Sequence, residues 1–263
     1  MTHRIAATIF CVGLCMLGQG AAAADPAPVM TPEPQQVETE SGWTFTFAPY
    51  FWAAGLSGDV ASFGLPAVHV DSSFSDLLDY LEFGAMAIGE ARYGRYSIVS
   101  DVMYSKIAGS AATPRGILAE EAEVDSETFA GFLGVGYSVL EDSAGHLDLI
   151  GGIRVWSVDT TISFSGGLLD GHSASDGDTW VDGMGGVRGV YSITPNFYVT
   201  GWGLVGGGGA DIDWDVAAAV GYKFNDTFSS LVGYRALGVD YSNDGFEFDV
   251  IQQGPIIGLT IHF

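Results

Sequence analysis

The last nine residues, Pro255 to Phe263 (PIIGLTIHF), constrain this chain more than any other segment. Read at period two, Ile257, Leu259, Ile261 and Phe263 fall on one face, and Ile256, Gly258, Thr260 and His262 fall on the other. A strand with one fully apolar face must bury that face, in a core or in lipid. Here the segment ends on an aromatic residue at the chain terminus, which is the form of a closing strand in a membrane barrel.

Composition points the same way. The chain holds 38 glycines, 13% aromatic residues and 48% apolar residues, yet no apolar run is long enough to cross a bilayer as a helix. High glycine, high aromatic content and weak local hydrophobicity are what a transmembrane β-barrel gives. The net charge is -23, so a phosphate backbone is an implausible partner and nucleic acid is excluded.

At the amino terminus, Arg4 precedes an apolar run from Ile5 to Leu17 and a small-residue stretch, Ala21 to Ala24. This reads as a cleaved export signal over residues 1–24. Its removal takes away one cation and no acid, leaving -24, and it also takes Cys11 and Cys15, the only cysteines. Residues 25–41, rich in Pro, Glu and Gln, read as a flexible periplasmic linker. From residue 42 to 263 alternation continues without another linker, so one barrel domain is expected.

The expected fold is all-β, an antiparallel up-and-down transmembrane barrel of ten strands: about 43–54, 82–93, 95–107, 121–140, 146–163, 179–193, 196–207, 211–224, 227–241 and 246–263. Eight or twelve strands are the alternatives, twelve arising if 55–71 forms its own membrane hairpin. Short turns such as Gly94-Arg95 and Thr194-Pro195 alternate with longer connections, the asymmetry of periplasmic turns and outer loops. On residues 211–224, Ile212, Trp214, Val216, Ala218, Val220 and Tyr222 share one face; Asp213, Asp215, Ala217, Ala219, Gly221 and Lys223 share the other. Applied along the chain, that rule puts Phe83, Tyr93, Tyr96, Tyr104, Phe129 and Tyr137 toward lipid as well. Partners eight or ten residues apart are separated by roughly 20–25 Å of height, the spacing of two aromatic girdles.

The same rule sends Glu90, Arg92, Asp101, Arg154, Arg188 and Arg235 into the lumen, with Glu82 and Asp182 nearer the outer rim. Mid-strand charges are tolerable only in a polar interior, and arginine can fork two carboxylates at once. Glu90, Asp101, Arg154, Arg188 and Arg235 are therefore the candidates for an ion-paired plug in a lumen otherwise lined by Gly, Ala, Thr and Ser. The favoured role is structural or surface-interacting; the alternative is a narrow channel selecting small solutes by charge. Ten strands leave little width beyond side-chain filling.

Catalytic signals are weak. Asp170-x-His172 and Asp211-x-Asp213 resemble the Asp-x-His and Asp-x-Asp pairs of the omptins, ten-stranded outer-membrane proteases, but in reverse chain order and on successive loops. An omptin-like hydrolase is the remote alternative, and no enzyme, cofactor or catalytic residue is expected. His69, His146, His172 and His262 lack zinc-ligand spacing, so no metal centre is expected. Acidic outer loops, including Asp59, Asp71, Asp76 and Asp79, are candidate contacts for divalent cations, with a solvated surface the safer reading. Ser73 to Tyr80 is expected to form a short helix capped by Ser73 or Ser75.

The opening WTFTFAPYFW, the hairpin EARYGRYSIVSDVMY and the terminal LTIHF together resemble small bacterial outer-membrane barrels of the opacity-antigen and OmpA-barrel kind. The resemblance implies envelope integrity, surface contact or slow passage of small solutes; the outer membrane of a Gram-negative bacterium, contact with its lipid and lipopolysaccharide, and a monomer are expected. The ending itself resembles the terminal strand recognised by the barrel-assembly machinery of Gram-negative bacteria, with Ile257, Leu259, Ile261 and Phe263 as the signal.

Overall fold

The computed structural model describes residues 42–112 and 121–263. The expected export signal and linker, and residues 113–120 of the second outer loop, lie outside the described residues. The strands are β1 (Trp43–Trp52), β2 (Gly55–Ala61), β3 (Val68–Ser72), β4 (Leu81–Tyr93), β5 (Tyr96–Ala112), β6 (Glu121–Glu141), β7 (Gly145–Ser165), β8 (Ser173–Ser192), β9 (Phe197–Gly208), β10 (Ile212–Lys223), β11 (Phe228–Asn243) and β12 (Phe246–His262). A short helix, α1 (Phe74–Leu78), lies between β3 and β4. No described helix is long and apolar enough to cross a membrane.

Ten of these strands, β1 and β4 to β12, form a closed antiparallel barrel, with β1 pairing both β4 and β12. The expected count of ten therefore holds. Residues 55–72, expected as loop or as a membrane hairpin, do form the hairpin β2–β3, but it is not part of the closed ring. β2 pairs the first half of β12, from Glu247↔Ala61 to Gln253↔Gly55, whereas β1 pairs the second half, from Trp52↔Ile256 to Thr46↔His262. The hairpin thus adds to the outer half of β12 only. Similarly β8 begins at Ser173, inside the segment expected to be a loop, and pairs β7 from Ser163↔Ser173 onward. Short Ser, Thr and Asp side chains let a ladder form with both faces wet, and such a ladder carries no apolar alternation.

The lipid-facing rule matches the structure. Tyr93, Tyr96 and Tyr137 are exposed, and the rings of Tyr96 and Tyr137 lie 5.3 Å apart beside one set of turns. Near the other end Phe83 and Tyr104 lie 5.9 Å apart. On β12 Ile257 and Leu259 face outward and are exposed, as is Phe263 just beyond it. An outer face so continuously apolar is that of a membrane barrel.

The lumen differs from the expected lining of small residues. Trp52, Phe132, Trp156, Trp180 and Phe248 all point inward and are buried. Trp180 stacks on Tyr241 at a centroid distance of 3.9 Å and an interplanar angle of 4°. The glycine run that ends β9 and continues to Gly209 makes that packing fit: a side-chain carbon on Gly209 would lie 2.7 Å from the Trp180 Cβ.

Candidate functional site

The charged lumen residues form two separate layers rather than one cluster. Along β7 the inward positions run Asp148, Ile150, Gly152, Arg154, Trp156, Val158, so that strand alone passes through acid, apolar, cation and apolar levels.

The first layer lies near the short-turn end. Arg92 Nε donates to Glu90 Oε1 at 2.9 Å, its Nη1 donates to Ser138 Oγ at 2.8 Å, and its Nη2 pairs with the Asp148 carboxylate. Ser138 Oγ donates to Asp148 Oδ1 at 2.6 Å. Arg188 reaches the other Glu90 oxygen at 3.1 Å. Two arginines thus meet two carboxylates, and the layer is neutral.

The second layer lies in the middle of the wall and is drier. Arg154 forks to Asp213 Oδ1 at 2.6 Å and Asp215 Oδ2 at 2.7 Å, with 1% of its side chain exposed. Arg235, wholly buried, donates from Nε to Asp215 Oδ1 at 3.0 Å, from Nη1 to Tyr50 Oη at 2.6 Å, and from Nη2 to both Asp101 and Asp215 at 2.6 Å. Tyr50 Oη in turn donates to Asp101 Oδ1 at 2.9 Å. The Trp156 indole donates to the other Asp213 oxygen, Oδ2, and the Trp202 indole donates to Asp215 Oδ1 alongside Arg235 Nε, each at 2.9 Å. Above and beside this node the Arg235 guanidinium faces Trp52 at 5.2 Å and Trp202 at 5.3 Å.

Between the layers, Val99, Phe132, Ile150, Met184 and Leu204 form a buried apolar cluster. It leaves a cavity of about 30 Å³, room for a water or two, bounded by Arg188 on one side and by Arg154 and Asp215 on the other.

All five plug candidates therefore occur in ionic contacts, but Glu90 and Arg188 belong to one layer and Asp101, Arg154 and Arg235 to the other. Sequence reasoning placed Asp213 and Asp215 on the lumen face without recognising them as the principal acceptors, and passed over Asp148, Tyr50 and Trp202. Which lumen acid meets which arginine depends on the stagger between strands distant in sequence. Glu82, expected inside, instead pairs with Lys106 at 3.0 Å where β4 bulges between Leu81 and Phe83.

The omptin-like residues do not come together. Asp213 is held in the second layer by Arg154 and Trp156, while His172 Nδ1 lies against the carbonyls of Leu169 and Asp170 in its own exposed loop. A serine–histidine pair does occur: Ser229 Oγ lies 3.2 Å from His262 Nε2. Both point into the lumen, Ser229 is fully buried, and the far nitrogen of His262 faces Thr46 Oγ1 at 3.5 Å rather than a carboxylate. Glu90, His146 and Asp148 lie close enough to share a cation, but Arg92 and Arg188 already engage their acceptors.

In the outer half, one side of the lumen is filled by the Trp156, Trp180, Tyr241 and Phe248 stack. The other side holds a chamber of about 450 Å³, lined chiefly by apolar groups. At the mouth, the Phe63 amide donates to Asp176, tying the β2–β3 tip to the β7–β8 hairpin. Tyr241 and Asn243 donate to Asp178 at 2.7 and 2.8 Å. In the outer loop α1 carries a capping box, and the Ser73 hydroxyl and backbone N–H hold the Asp76 carboxyl below the usual carboxylate range.

No family model and no curated protein matches the chain. Among solved structures it is similar to the outer-membrane protease OmpT from Escherichia coli, at 13% identity over 84% of this chain and 97% of that one, with a TM-score of 0.49. It is similar to Ail, the attachment invasion locus protein of Yersinia pestis, at 12% identity, 84% and 99% coverage and a TM-score of 0.35. Neisserial surface protein A matches at 12% identity, 85% and 98% coverage and a TM-score of 0.35.

Proposed function

We propose that this protein is an integral outer-membrane barrel of a Gram-negative bacterium, monomeric in the bilayer, with a shut lumen and a structural or surface-facing role. The observation that carries this reading is Arg235. Every nitrogen of its guanidinium is engaged by Asp101, Asp215 or Tyr50, and the group is wholly buried between strands from opposite sides of the barrel. A hydrated ion crossing the lumen would have to part this node, leaving unpaired carboxylates in a dry interior. The first layer, at Glu90 and Arg92, stands in series with it. Ile257, Leu259, Ile261 and Phe263 serve assembly into the membrane, and lipopolysaccharide surrounds the outer loops.

Single-channel recording in a planar lipid bilayer tests the reading. The refolded protein is expected to insert without discrete conductance steps. Reproducible steps that change on Arg235 or Arg154 substitution would replace this function with that of a narrow charge-selective channel.

A further inference from the structure

The ladder of the barrel wall is incomplete in its outer half. β1 leaves β4 after Pro49↔Ala87, so residues Leu81–Met86 of β4 have a strand partner only on the β5 side. On the other side of the break, β3 pairs β2 and no further strand among the described residues. The segment bridging the break is α1, whose Phe74 packs edge-on against Phe51 at 5.6 Å.

The apolar chamber opens at this break. Its inner walls include Met86, Val158 and Phe248, and its rim includes Phe51 and Leu78, which are 49% and 48% exposed. Phe51 shares its face of β1 with Phe45 and Phe47, both exposed, so the chamber is continuous with the lipid-facing belt. The chamber has a closed floor, because Trp52 lies over Arg235 of the second ionic layer. Its roof is drawn together by the Phe63–Asp176 bond and by the β2–β3 and β11–β12 turns, where a side-chain carbon on Gly245 would sit 3.1 Å from the Gly64 Cα.

We propose that this chamber binds the hydrocarbon chain of an uncharged amphiphile, which enters from the outer leaflet through the break between β3 and β4. The volume suits a small ligand or a single chain rather than a bulky lipid. Charge selects the head group. Asp71, Asp76 and Asp79 are exposed around the opening, and Lys106 at the edge of the break is already paired with Glu82 and Asp125. Among the described residues, an anionic head would meet this acidic rim without a free cation to receive it. Because the floor is shut, the site is a dead end for binding rather than a route across the membrane. The proposal rests on the bilayer location proposed above.

The test uses the full chain in lipid nanodiscs and dodecanol carrying a photoreactive group at the chain end. Covalent attachment is expected at Met86 or Val158 within the chamber and, separately, at belt residues such as Ile257. Competing n-alkanols should displace only the chamber label, with apparent affinity rising about fourfold per methylene until the chamber is full. The matching carboxylic acid at pH 8 should label the chamber at least fivefold less. Val158→Trp and Met86→Trp, two independent ways of filling the space, should each abolish chamber labelling and leave the belt label intact. Belt labelling alone in the unsubstituted protein, or chamber labelling unchanged in both tryptophan variants, would overturn the proposal. Equal labelling by the acid would overturn the assignment of an uncharged head. Loss of the belt label as well would instead refute the bilayer location, and the proposal with it.

Discussion

The inner and outer halves of this lumen solve the problem of a barrel interior in opposite ways. In the inner and middle levels the lumen is crossed by two arginine–carboxylate layers with a buried apolar cluster between them. In the outer level the inward residues are aromatic or aliphatic, one side is packed by stacked rings and the other is left hollow. The wall follows the same division: fully paired below, interrupted between β3 and β4 above. Ten strands can be filled by side chains, so the hollow arises because the β2–β3 hairpin stands outside the ring and widens it on one side.

The comparison breaks most visibly at Arg235. Replacing it by Ala leaves Asp101 and Asp215 buried without their common partner, and a loss of about 3–5 kcal/mol is expected in urea unfolding of the refolded barrel. A loss under about 1 kcal/mol would mean that the node is hydrated. Arg154→Ala should cost less than Arg235→Ala, because Asp213 keeps Trp156 and Asp215 keeps both Arg235 and Trp202. Unchanged unfolding of that variant would count against a structural plug.

Apolar truncations sharpen the contrast between the halves. Ile150→Ala, in the closed cluster between the layers, should cost about 2–5 kcal/mol, whereas Met86→Ala, which only enlarges an existing chamber, should fall below that range. Equal costs would show the chamber to be as tightly packed as the cluster. The smallest effect is expected at α1. The Asp76 carboxyl is held below its ordinary pKa by Ser73, so its support of the helix is complete above the unfolded carboxylate pKa and lost as pH falls through the lowered value. Hydrogen exchange of the α1 amides should accelerate over that acid window relative to neighbouring strand amides, corrected for intrinsic rates, and Ser73→Ala should remove the pH dependence.

The strands of the barrel were readable because lipid imposes strict alternation, as on Ile212 to Lys223, where every second residue meets lipid. The hairpin β2–β3 was legible only as an alternative, since GLSGDVA and VHVDS are short and the apolar face they share, Leu56, Val60 and Val70, meets the chamber rather than lipid. The arginines stood out as mid-strand charges, and so did Glu90 and Asp101, but Asp148, Asp213 and Asp215 did not stand out as acceptors. Arg154 meets Asp213 and Asp215 three strands away across the barrel, and that match is set by stagger rather than by local sequence. The chamber did leave a trace. Trp52, Met86, Val158 and Phe248 occupy inward positions near the outer ends of their strands, where a polar lumen would be expected. A break in polar-inward alternation at one height on several strands was the available signal.

Single-cysteine accessibility tests the division of the lumen most directly. In a Cys11→Ser, Cys15→Ser background, Val158→Cys and Ile150→Cys would be exposed to N-ethylmaleimide in folded, bilayer-embedded protein. Modification is expected at residue 158, and protection at residue 150 from either side of the membrane. Modification at 150 on the timescale seen at 158 would contradict that division, because the two ionic layers would then not seal the lumen beneath the chamber.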